Sequence, residues 1–360
     1  ELSNAINISK DYKGPVVIHV ITKKGKGYHP AEDDKLGKWH GLGPYKIDTG
    51  EVLGSKSTPS WSEFMSNTVL ERAKKDERIV ALTPAMPVGS KLTKFQNELP
   101  ERFFDVGIAE QHAVTMAGGL AASGMRPYLA IYSTFLQRGY DQLLHDVDRQ
   151  NLNVFLGIDR SGLVGADGET HQGVFDISFI SPLPNMTLMM PKDEIEAEQM
   201  IDLAFDHEGP VALRYPRGNI KGIEAPAPRG PLEYGSWEKV MEGEDLSIIS
   251  FGPTLDLAID AAVALKEAGI NAGVINARFI KPMDEEMLQS IGYAGKPVLT
   301  VEETMLNGGL GSMIATFMAD HGFNNGIRRI GIGNEYVEHG DVNKLLEDIG
   351  DRKSTRLNSS

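Results

Sequence analysis

Phe103–Ala117 reads FFDVGIAEQHAVTMA, and the reading of this stretch decides the fold. Its first seven residues, FFDVGIA, are mostly apolar, with aromatic and β-branched side chains early, which predicts a buried strand. From Glu110 the period changes. Ala113, Val114, Ala117, Leu120 and Ala121 recur at helical spacing. Glu110 therefore stands where a strand hands over to a helix, at the edge where open α/β sheets bind ligands. An acid in that place has two uses. It can complement the positive end of the helix dipole, or it can act on something bound at the edge.

Outward from this stretch the same alternation repeats. RIVALTP (78–84), PYLAIYSTF (127–135), NVFLGIDR (153–160), NMTLMMP (185–191) and PVALRYPRG (210–218) read as strands. Ser60 and Glu63 form a capping-box pattern ahead of a helix to about Lys75. RGYDQLLHDVDR (138–149) and DEIEAEQMIDLAF (193–205) also read as helical. Strands and helices of these lengths predict the α/β class, with a doubly wound parallel sheet covered on both faces. A Gly/Pro-rich linker, GNIKGIEAPAPRGPLEYG (218–235), separates a second unit of the same kind. There LSIISFG (246–252), NAGVINA (271–277), PVLTVEE (297–303) and IRRIGIG (327–333) are strands, and LDLAIDAAVALKEAG (255–269) is an amphipathic helix stopped by Gly269. The GGLGS run at Gly308 fits neither the dinucleotide fingerprint nor the Walker loop, so a tight turn before a helix is expected.

The first 57 residues are less regular. VVIHVIT (16–22) reads as a strand with His19 packed inside it, and TKKGKGYHPAEDD (22–34) as a solvated loop. GKWHGLGPY (37–45) places His40 beside Trp39 in a glycine-rich loop, a site candidate. The expected organisation is a remnant domain and linker over 1–57, an α/β domain over 58–222, a second over 233–350, and a disordered tail over 351–360, where RKSTRLNSS lacks apolar periodicity.

The totals narrow the function. A chain of 360 residues has room for two or three domains of about 150 each. A net charge of −14 argues against general nucleic-acid binding and against attraction to an anionic membrane, while leaving room for a locally positive pocket. The absence of cysteine removes disulfides, thiol nucleophiles and thiolate metal sites. No apolar run approaches the ~20 residues that span a bilayer. The opening ELSNAINISKDYKGP resembles neither a signal peptide nor a basic presequence, and reads like the middle of a longer protein.

Three clusters carry chemistry. DRSGLVGADGETHQGVFD (159–176) sets Arg160, Asp167 and His171 among Gly162, Gly165, Gly168 and Gly173, directly after a strand. Glycines let backbone approach a ligand closely, and loops at strand ends hold ligands. AIYSTFLQRGYDQ (130–142) offers Tyr132 and Phe135 as core or as a wall for a flat ring, with Arg138 three residues on. RYPRGN (214–219) presents Arg217 on a proline-stiffened turn, and an Arg fork suits a phosphate.

Together with DVGIAEQHAVTMAGGLA (105–121), these clusters resemble the 1-deoxy-D-xylulose-5-phosphate synthase family of transketolase-like thiamine-diphosphate enzymes, over about residues 14–345 and in family order. The resemblance implies condensation of pyruvate with D-glyceraldehyde 3-phosphate. Glu110 matches the glutamate that hydrogen-bonds the cofactor's aminopyrimidine nitrogen, and Phe135 the aromatic stacked on that ring, with Tyr132 and Arg138 beside it. Arg160 and Arg217 match a pair gripping the substrate phosphate. Asp167 and His171 match substrate-side polar groups, His40 matches a histidine reaching in from the first domain, and His112 receives no role beyond packing. A homodimer and a bacterial cytoplasm, rather than a plastid, are also implied. The family holds diphosphate and magnesium through a Gly-Asp-Gly motif, which is absent here, so no metal ligands are expected and the chain is expected to be inactive alone. A transketolase-like ketol transferase, and a non-catalytic subunit whose partner supplies the diphosphate site, remain as alternatives.

Overall fold

The computed structural model describes residues 1–34, 39, 43–53, 58–223 and 231–357. The chain falls into two compact units, Glu1–Ser57 and Thr58–Ser360.

In the first unit, helices α1 (Leu2–Lys10) and α2 (His29–Glu32) accompany a Tyr45–Val52 bridge. The rings of Tyr28, Trp39 and Tyr45 pack together at 5.0–6.0 Å. The expected strand over 16–22 does not form. Residues 15–23 are irregular, Val17 and Ile21 are 92% and 86% exposed, and His19 is exposed rather than packed. A strand needs a neighbour for its backbone groups, and among the described residues of this unit none pairs with it.

The second unit begins with α3 (Trp61–Ala73), whose Ser60 hydroxyl accepts from the Glu63 N–H as expected. In chain order there follow β1 (Ile79–Thr83), α4 (Thr93–Glu98), β2 (Phe103–Asp105), α5 (Glu110–Ala122), β3 (Arg126–Tyr132), and α6 (Ser133–Leu136). Next come α7 (Tyr140–Gln142), β4 (Phe155–Asp159), α8 (Asp176–Ile180), β5 (Thr187–Met189), α9 (Glu194–Asp206) and β6 (Val211–Arg214). The remainder is β7 (Glu238–Met241), β8 (Leu246–Ser250), α10 (Thr254–Glu267), β9 (Ala272–Asn276), β10 (Phe279–Lys281), α11 (Glu285–Ala294), β11 (Val298–Met305), α12 (Leu310–Asp320), β12 (Ile327–Ile332) and α13 (Val342–Leu357).

Two sheets organise these elements. The first runs β10-β5-β6-β4-β3-β1-β2 and the second β12-β11-β8-β9-β7. All pairings are parallel except those of β10 and β7. Central strands β1, β4 and β6 are buried throughout, as a sheet covered on both faces requires. The FFD strand differs from expectation. It stops at Asp105 and is only half-buried, because β2 is an edge strand with one neighbour. Neither β10 nor β7 was foreseen. Three or four residues carry too little periodicity to separate strand from loop. The helix α13 continues to Leu357, into the stretch expected as a tail, since adding residues to an existing helix costs little.

Candidate active site

Strands β2, β1, β3, β4 and β6 are parallel neighbours, so their carboxyl ends share one edge. Each ends in a loop bearing a residue singled out from the sequence, except β1. Asp105 closes β2 and accepts from the N–H groups of Ala85 (2.9 Å) and Gly107 (3.0 Å). That pins both neighbouring turns and brings the chain round tightly into α5, where Glu110 is the first helical residue.

Glu110 is 6% exposed. Its recorded bond is not to the helix N–H groups but to Arg138, whose Nη1 lies 3.5 Å from Oε1. At that length the bond is weak, so the carboxyl retains most of its accepting capacity. The same Arg138 guanidinium stands 5.0 Å over the Phe135 ring. Phe135 lies parallel to Tyr132 at 5.6 Å and 8°. His171 meets Phe135 edge-on at 5.5 Å, and its Nδ1 sits 3.0 Å from the Thr170 hydroxyl.

Tyr132 closes the other side. The Arg160 guanidinium lies 4.2 Å over its ring. Burial pushes the Tyr132 phenol up to about 12, so it remains a proton donor at neutral pH. Arg160 is itself tied down: Nη1 donates to Asp159 (2.8 Å), to Ser62 (2.8 Å) and to the Gly89 carbonyl (3.4 Å). Its φ of 58° is a strained value for a long side chain, held by these bonds. Asp159 is fully buried. Burial raises its carboxyl against the pull of Arg160. Arg217, half-exposed, pairs with Asp167 at 3.0 Å, and both act electrostatically on Tyr132.

Glu110, Tyr132, Phe135, Arg138, Arg160, Asp167, His171 and Arg217 are thus brought into one cluster. His40 lies outside the described residues. His112 is exposed rather than packed. Ser62 and Gly89 were missed. Ser62 read only as part of a helix start, and Gly89 matters because a Cβ there would stand 2.6 Å from the Tyr132 hydroxyl, which no spacing announces. A cavity of about 470 Å³ beside α9, lined by Gln199, Asp202, Asp206, His207 and Tyr234, shares no residue with this cluster.

The cluster fits an aminopyrimidine ring: a buried acceptor carboxyl at one end and an aromatic pair at the other, with Arg138 touching both. It does not fit a diphosphate–magnesium group. Among the described residues no set of three His, Asp or Glu side chains could hold a metal.

Comparison with known proteins places both sheets in known families. Residues 57–222 match the family "Transketolase, pyrimidine binding domain" and 235–354 match "Transketolase, C-terminal domain". The chain is 60% identical over 359 residues to a protein of Macrococcus caseolyticus named 1-deoxy-D-xylulose-5-phosphate synthase, covering 99% of this chain and 57% of that one. It is 58% identical to the protein of that name from Lysinibacillus sphaericus, covering 97% and 56%. The chain therefore spans little more than half the length of these relatives. Among solved structures, a "split gene transketolase, inactive beta4 tetramer" superposes with a TM-score of 0.72 at 28% identity, covering 81% of this chain and 93% of that one.

Proposed function

Because this chain belongs to the transketolase family, we propose that the Glu110–Phe135 cluster is the pyrimidine-binding half of a thiamine-diphosphate site. The protein takes part in condensing pyruvate with D-glyceraldehyde 3-phosphate to 1-deoxy-D-xylulose 5-phosphate and carbon dioxide. The observation that carries this reading is Glu110: a buried carboxyl at a sheet edge, weakly bonded to Arg138, beside a parallel aromatic pair. The identity of about 60% to named synthases supports the reaction.

When bound, thiamine diphosphate supplies a carbon nucleophile that no protein side chain offers. The protein's part is to hold and to protonate. Glu110 shares a proton with the ring nitrogen, and Phe135 takes the ring face. A positioned acid–base group of this kind contributes about a hundredfold or more. His171, edge-on to Phe135, holds or moves a proton at the substrate oxygens. Arg217 exchanges Asp167 for the phosphate of the aldehyde, with the charge of Arg160 nearby, and this fixes the reacting carbon within reach. The family resemblance assigns the diphosphate and magnesium to a Gly-Asp-Gly motif, which this sequence does not contain. A homodimer in the bacterial cytoplasm is the expected setting.

The test is Glu110→Gln in an enzyme that also carries the diphosphate-binding half. Turnover should fall about a hundredfold or more while cofactor affinity changes little. Unchanged turnover would remove Glu110 from the mechanism.

One observation favours a second reading. The split-gene transketolase chain is matched over 93% of its length, so this chain could equally serve as the subunit of a two-chain enzyme. A co-purifying chain with the Gly-Asp-Gly motif supports that arrangement. Activity with a ketose phosphate donor, and none with pyruvate, supports a ketol transferase instead.

A further inference from the structure

The loop that carries Arg160, Asp167 and His171 leaves the first sheet but is gripped by the second. At its base Gly162 and Gly173 exchange backbone bonds of 2.7 and 2.8 Å. Beyond that pinch, Val174 accepts from the Met305 N–H (3.1 Å), and the Gln172 amide donates to the Glu338 carbonyl (3.0 Å). Leu163 and Val174 pack with Met305, Ile332 and Leu345.

Within this grip sits Glu303 of β11, 5% exposed. Its Oε2 accepts from the Leu163 N–H at 3.3 Å. Its Oε1 is buried with no partner. The carboxyl occupies the space that a side chain on residue 162 would need: a Cβ there would stand 2.3 Å from Oε1. Gly162 also has φ +79°, so both the conformation and the contact demand glycine. An unmatched buried carboxyl oxygen costs stability.

We propose that Glu303 is a positioning residue: through Leu163 and Gly162 it sets the pose of the loop that bears Arg160, Asp167 and His171. The C-terminal domain thereby governs the substrate side of a cluster built on the other sheet. Only the naming of that side as substrate-binding rests on the functional reading above; the coupling itself does not.

The hold depends on one proton. The groups that face the Glu303 carboxyl are the Leu163 N–H, Arg214 of β6 and Asp176 at the start of α8; Glu302, its neighbour on β11, turns instead to the Leu310 and Gly311 N–H groups. Burial pushes Glu303 up to about 7, with the Leu163 N–H and Arg214 opposing and Asp176 adding. When the loop lifts and water reaches the carboxyl, it returns to the ordinary carboxylate range. Ionisation therefore favours the lifted loop, and rising pH through neutrality loosens it.

Amide hydrogen exchange of residues 161–165 in the isolated chain, corrected for intrinsic rates, tests this without cofactor or turnover. Between about pH 6 and pH 8 exchange in the wild type should rise about tenfold. In Glu303→Gln, which keeps an acceptor for Leu163 and carries no titrating proton, it should stay level. Glu303→Ala should exchange faster than wild type at both values. Exchange in Glu303→Ala no faster than in wild type would overturn the proposal. Failure of Glu110→Gln to lower turnover in an enzyme that also carries the diphosphate-binding half would overturn the functional reading and leave the exchange result standing.

Discussion

Arg214 and Asp176 are both fully buried and meet at 2.8 Å. The remaining Arg214 donors go to the Met190 sulfur (3.0 Å) and the Gly173 carbonyl (3.4 Å), and Asp176 also accepts from Ser161 at 3.2 Å. Such a pair adds little net stability, but removing one partner strands a charge. Asp176→Ala should cost about 3–5 kcal/mol in urea unfolding; a loss within experimental scatter would contradict the burial. Glu303 lies against this pair, and its pH dependence has a definite sign. Its folded value of about 7 lies above the ordinary 4.5. Its contribution is therefore fully present below about 4.5, falls as pH rises toward 7, and is gone above. The stability difference between wild type and Glu303→Gln should shift by about 3 kcal/mol across that window, in the variant's favour at high pH. A difference that stays flat from pH 4 to 8 would sink the assignment.

At the scale of elements, the placement of α5 decides where the Glu110 carboxyl stands. The turn between α6 and α7 packs on its first residues: a Cβ on Gly139 would sit 2.9 Å from Val114 Cγ2 and 3.3 Å from the Glu110 carbonyl. Gly139→Ala should push the start of α5 away at a cost of about 1–3 kcal/mol. In an enzyme that also carries the diphosphate-binding half, turnover should fall while the helical content by circular dichroism stays the same. Unaltered turnover would mean that the turn does not position Glu110. The short β10 matters for a different reason. It comes from residues 235–354, the C-terminal domain, yet pairs antiparallel with β5 at the edge of the first sheet. Trp237 fastens it there through a 2.7 Å bond to the Phe279 carbonyl.

At the scale of the whole molecule, one apolar core spans both sheets, running from Trp61 through Phe251 and Ile275 to Met318. A half-buried charge network joins the two sheets: Lys192 reaches Glu238 (2.7 Å) and Glu196 (3.4 Å), and Arg278 reaches Glu196 (3.6 Å). Two domains tied this closely should unfold as one, with a single calorimetric transition over this unit. Two resolved transitions would show the interface to be weak. The sequence alone determined the alternation of strands and helices and all but one of the loops that bear the clustered residues. Those signals are local: periodicity, caps and glycine-rich turns within a dozen residues. Tertiary structure alone decided that VVIHVIT lacks a partner strand, that FFD lies at an edge, that Ser62 and Gly89 hold Arg160 and Tyr132, and that Glu303 lies under the Arg160 loop. Each of these depends on which distant segment becomes a neighbour, and pairing across 71 to 140 residues leaves no mark on the spacing of either segment.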